Sequence, residues 1–124
     1  MEKVELDKSY LLTLFLRIST LSINNHEEGK IIMQEIDTKL KDFSNEALLW
    51  CLRGLSQKKY WELDYQHWLE DRVKHPESTL AFYRRKLKKD YTDCNPVVYY
   101  LKKAAELEPD NSEFKKLVEN STNN

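Results

Sequence analysis

Two glycines and three prolines in 124 residues constrain this chain more than any other feature. Hairpins and loop-rich folds use glycine, proline and asparagine at turn after turn. A chain so poor in breakers is restricted to a few long elements, and that points to an all-α fold. The length suits one domain of roughly 100–150 residues. Fourteen aromatic side chains are enough for one core, and the 33% of residues that are charged then fall on outer helix faces.

Apolar spacing predicts about seven helices in antiparallel pairs. Leu11, Leu14, Phe15 and Ile18 recur at i, i+3, i+4, i+7 and mark a first helix from about Leu6 to Ile23. Leu12 and Leu16 widen that stripe, so cover on more than one side is expected. Asn24-Asn25 breaks it and is placed to cap a second helix, whose buried line is Ile32, Met33, Ile36 and Leu40. Ser44 or Asn45 caps a third, carrying Leu48, Cys51, Leu52 and Leu55. A polar break over Ser56–Lys59 separates it from a fourth with Trp61, Tyr65, Trp68 and Leu69, ended by His75-Pro76. Leu80, Tyr83 and Leu87 mark a fifth, Asn95-Pro96 starts a sixth, and Asn111 or Ser112 caps a short seventh. Residues 6–43 are thus an N-terminal hairpin, 44–118 a further set of hairpins, and 119–124 a frayed tail.

The net charge of −1 argues against general affinity for nucleic acid or acidic membranes. The charge is uneven, however. Between Arg72 and Lys89 seven basic residues face one acid, Glu77, which leaves about −7 on the remainder. Cys51 and Cys94 form no metal-type or redox-type pair. Cys51 falls on an apolar face, where a buried free thiol is expected. The apolar run Leu11–Ile18 is too short to span a bilayer and contains Arg17. A cytoplasmic protein with reduced thiols is the expectation.

Val97-x3-Leu101-x2-Ala104-x4-Pro109, followed by Asp110-Asn111, resembles the second half of a tetratricopeptide repeat. In such a repeat a small residue lets two helices approach and a proline closes the unit. Pro76 lies 33 residues before Pro109. Trp50-x2-Arg53-Gly54 is similar to the family's Trp-x2-Leu-Gly opening. That register would bury Arg53 and Gln57, and burying a charge is costly, so Leu48, Cys51, Leu52 and Leu55 remain the expected inner face. The resemblance covers about residues 44–118 and is specific around 97–111. It implies a right-handed superhelix of helical hairpins with a concave groove lined by first helices. Arg53, Arg85, Lys88 and Lys89 would line that groove and Leu49 and Ala81 would floor it, suiting an acidic peptide or a C-terminal carboxylate.

No catalytic constellation is legible. Gly29 and Gly54 stand alone inside helical patterns, which excludes a glycine-rich phosphate loop, and no nucleophile has a recognisable base. Asp64, His67 and Asp71 share a helix face at i, i+3, i+7, but the second such motif of a di-metal bundle is absent. A solvated polar face is the expectation, with no metal and no cofactor. His26-Glu27-Glu28 reads as a helix boundary. The expected activity is therefore non-catalytic binding of a protein or peptide, acidic in the case of the groove. A nucleic-acid binder using 72–89 and a small toxin-neutralising or chaperone-like binder stay open beside it. Tyr60, Trp61, Tyr65 and Trp68 exceed what one buried stripe needs, and a homodimer through Trp61 and Trp68 is the corresponding expectation.

Overall fold

The structure, a computed structural model, describes residues 6–70 and 96–122; the side chains of 68–70 and 122 lie outside that description. Helix α1 spans Lys8–Ser19. It begins where the extended Asp7 accepts the Ser9 N–H at 2.9 Å. That bond favours the ionised carboxylate and holds its pKa below the usual value. Beyond α1, a single 3-10 turn covers Ile23–Asn25. Asn25 does not cap the next helix: its Oδ1 accepts from the Ser22 N–H at 2.7 Å and from the Ser22 hydroxyl at 3.1 Å. The turn is thereby closed on itself, and His26 is left at its end. Helix α2, Glu28–Asp42, follows. It buries Ile32, Met33, Ile36 and Leu40 as their spacing requires.

The expected third and fourth helices are one, α3, Ala47–Glu70. No break occurs at Ser56–Lys59: Ser56 and Gln57 are satisfied inside the helix, and Lys58 is exposed on its surface. Ser56 is wholly buried and its hydroxyl donates to the Arg53 carbonyl at 2.8 Å, a bond a helical serine makes to its own preceding turn. Gln57 Oε1 accepts from Arg53 at 3.2 Å. Helix α4, Pro96–Leu107, starts at the proline that marks it. Asn111 caps α5, Ser112–Thr122, its Oδ1 accepting from the N–H groups of Glu113 and Phe114 at 3.0 and 3.2 Å. The last helix thus runs beyond 119, where a frayed tail was expected. Five helices and no strand make up the described residues. The expected fifth helix and the His75-Pro76 stop lie outside them.

Helix α3 is the axis. One side packs on α1 and α2 through Leu49, Leu52 and Leu63, against Leu11, Leu14, Ile18, Ile32, Ile36 and Leu40. Another side, through Ala47 and Cys51, meets Val97, Leu101, Ala104 and Phe114 of α4 and α5. A helix covered on two sides has no single apolar stripe, and this corrects the predicted face. Leu48 is exposed, whereas Leu49, Arg53 and Gly54 are buried. Gly54 allows the closest approach to α4: a Cβ there would lie 3.0 Å from Leu101 Cγ. Among the described residues helix α1 is covered on one side only, against the expected wider cover: Leu12 and Leu16 are 57 and 52% exposed, and Phe15, expected in the inner stripe, is 46% exposed at its edge. Among the described residues, no helix is long and apolar enough to cross a membrane.

Candidate functional site

Of the six predicted groove residues, Leu49 and Arg53 lie among the described ones. Leu49 is wholly buried in the core and floors no groove. Arg53 is buried and committed: its Nε donates to Asp37 Oδ1 at 2.7 Å, and its guanidinium carbon lies 4.5 Å from the centre of the Tyr100 ring. Those partners offset the desolvation that had argued against this register. Ala81, Arg85, Lys88 and Lys89 lie outside the described residues. The described members of the predicted aromatic patch are partly drawn in, Tyr65 being half-buried. Tyr60 is buried, and Trp61 is half-buried against the second core cluster. The Trp68 side chain lies outside the description.

Two other features stand out. The first is polar, and it overturns the reading of Asp64 as part of a solvated face. Asp64 is 6% exposed and His26 7%, and they meet across the 3-10 turn and α3. His26 Nε2 lies 3.3 Å from Asp64 Oδ1 and 3.2 Å from Glu27 Oε1. The other ring nitrogen, Nδ1, is 3.1 Å from the Ile23 carbonyl. A carbonyl only accepts, so Nδ1 carries a proton and Nε2 is the atom offered to the two carboxylates. The His67 ring leans on that of His26, with centroids 4.9 Å apart, and the Tyr60 ring stacks with it at 6.0 Å. Burial pushes the Tyr60 phenol pKa up. Lys30 lies 3.2 Å from Glu27 Oε2. Gly29 makes the cluster possible: a Cβ there would meet Tyr60 Cδ1 at 3.0 Å and hold α2 away from α3. The sequence shows His26 and Asp64 only as a boundary residue and a helix-face residue 38 positions apart. A lone glycine in the first turn of α2 was the available hint of close approach.

The second feature is apolar. Leu12, Phe15 and Leu16 form an i, i+3, i+4 patch on α1 that flanks the face burying Leu11, Leu14 and Ile18. Lys8 lies one turn before Leu12 on the same line. The charges of α1 are Lys8 and Arg17, with no carboxylate, and Arg17 is held by Glu35 at 2.9 Å. A groove of about 470 Å³ between α4 and α5 is also present, its lining a mixture of two lysines and two glutamates with Ala105, Pro109 and Val118.

No family model, curated protein or solved structure matches this chain.

Proposed function

We propose that this chain is a non-catalytic interaction module that docks a protein partner on the outer face of α1. One observation carries the reading: among the described residues the apolar stripe of α1 is wider than the surface that covers it, so three large apolar side chains of one short helix stand exposed. Contiguous apolar surface of that kind marks interaction sites. The occupant that fits is an amphipathic helix with its apolar ridge along Leu12, Phe15 and Leu16 and an acidic group beside Lys8, which continues that line by one turn. A tetratricopeptide-like stacking of α3, α4 and α5 is part of the proposal. It is supported by the Gly54–Leu101 approach, the buried Ala104 and the Pro109 that precedes α5.

The test places a photo-crosslinking amino acid at position 15 in cells, with position 34 on the polar face of α2 as control. Crosslinking specific to 15, lost in Leu12→Asp, to a segment with an acidic amphipathic helix is the expected result. Crosslinks at 15 to a second copy of the chain, or to nucleic acid removable by nuclease, would replace this reading with self-association or with the nucleic-acid alternative. Equal yields at both positions would remove it.

A further inference from the structure

We propose that His26, Glu27 and Asp64 form a binding site for one divalent transition-metal ion of the zinc type. One nitrogen and two carboxylate oxygens, from three different side chains, lie within 4.8 Å of one another. The spacing is the first argument. Ligand atoms bonded to zinc at about 2.0–2.2 Å in a tetrahedron are separated by roughly 3.3–3.6 Å. Nε2 stands 3.3 Å from Asp64 Oδ1 and 3.2 Å from Glu27 Oε1, so these two edges are close to the required length; the third, between the two carboxylates, lies within 4.8 Å and closes by rotation of the exposed Glu27 side chain.

The second argument is orientation. A metal-bound histidine commonly donates its other N–H to a carbonyl or carboxylate, which fixes the tautomer and aims the free lone pair. The Ile23 carbonyl does this to Nδ1. Nε2 then faces two acceptors and must hold either a proton or a metal ion between itself and them. The third argument is burial. His26 and Asp64 are both more than nine-tenths buried, on elements held by the closed Ser22–Asn25 turn and by α3. A pre-set, partly dry donor set reduces the ordering cost of binding. Glu27 is the exposed member. Its second oxygen is occupied by Lys30, so it offers one oxygen and leaves the fourth position to the solvent side. Imidazole with carboxylates suits zinc, and cobalt(II) is its spectroscopic substitute.

The full chain, stripped with chelator, is titrated with Co²⁺ and then displaced with Zn²⁺. The visible bands of low-coordinate cobalt should appear at one equivalent, and added zinc should raise the melting temperature. Asp64→Asn should abolish the bands. Glu27→Gln, at a position too exposed to threaten the fold, should weaken binding at least about tenfold, the lower bound even for loss of an outer partner. Glu62→Gln, an exposed carboxylate on α3, should change nothing. No bands and no zinc-dependent melting shift in the wild-type chain would overturn the proposal and leave a proton as the shared cation. Equal affinity in wild type, Asp64→Asn and Glu27→Gln would overturn it too, because the ion would then sit elsewhere.

Discussion

Arg53 and Asp37 share one ion pair unequally, since the Arg53 side chain is 9% exposed and that of Asp37 48%. Removing Asp37 strands a buried guanidinium, whereas removing Arg53 leaves a carboxylate that water can still solvate. Asp37→Ala should therefore cost about 1–3 kcal/mol in urea unfolding, and Arg53→Met less than about 1 kcal/mol. Equal costs would mean that the guanidinium reaches water after all. Tyr10 and Glu35 make the corresponding pH prediction. The Tyr10 hydroxyl donates to Glu35; burial and then that carboxylate raise the Tyr10 pKa to about 12. The same hydrogen bond, followed by Arg17, lowers the Glu35 pKa. A depressed carboxylate stabilises the fold above its unfolded pKa and loses that contribution as pH falls through the folded value. A raised phenol stabilises below pH 10 and loses that contribution as pH climbs towards 12. Tyr10→Phe should remove about 1 kcal/mol at neutral pH, a modest value because the site is half-exposed. It should also flatten both flanks of the stability–pH curve. The sequence could not pair these residues: 25 and 16 positions separate the partners, and nothing in the spacing of either helix points one partner at the other.

At the scale of elements, α2 and α4 were legible because each buries essentially one side. Ile32, Ile36 and Leu40 and then Val97, Leu101 and Ala104 fall where period 3.6 puts them. Helix α3 was not legible, for the opposite reason. Two covered sides blur the period, and a polar run within it looks like a linker until Ser56 is seen satisfied by its own backbone. The difference is measurable at Lys58, exposed in mid-helix. A proline there deletes a helical hydrogen bond and clashes with the preceding turn. Lys58→Pro should therefore cost about 3 kcal/mol or more in thermal or urea unfolding followed by circular dichroism. A near-neutral effect would restore the break. The two faces of α1 give a matching contrast. Leu14→Ala, at a wholly buried site, should cost about 2–5 kcal/mol. Leu16→Gln on the open face should stay within about 0.5 kcal/mol.

For the molecule as a whole, the decisive fact is that both core clusters hang on one helix. Leu49 and Leu52 serve one, Ala47 and Cys51 serve the other, and Trp50 packs on both. A helix shared in this way cannot lose one cluster and keep the other intact, so the described residues should unfold in one cooperative step. Cys51 supplies the probe. Burial pushes its thiol pKa up to about 12, and a protonated, enclosed thiol reacts only when the structure opens. In a Cys94→Ser background, labelling of Cys51 at pH 8 should therefore report the opening equilibrium. Leu101→Ala, in the same cluster as Cys51, should cost about 2–5 kcal/mol, and a 2 kcal/mol loss corresponds to labelling roughly 30-fold faster. Leu52→Ala lies in the other cluster, against α1 and α2. If α3 couples the two, it should accelerate Cys51 labelling by the factor its own stability loss dictates. Labelling unchanged by Leu52→Ala, in a protein measurably destabilised by it, would show that α4 and α5 hold α3 without help from α1 and α2, and the single-axis account would be lost.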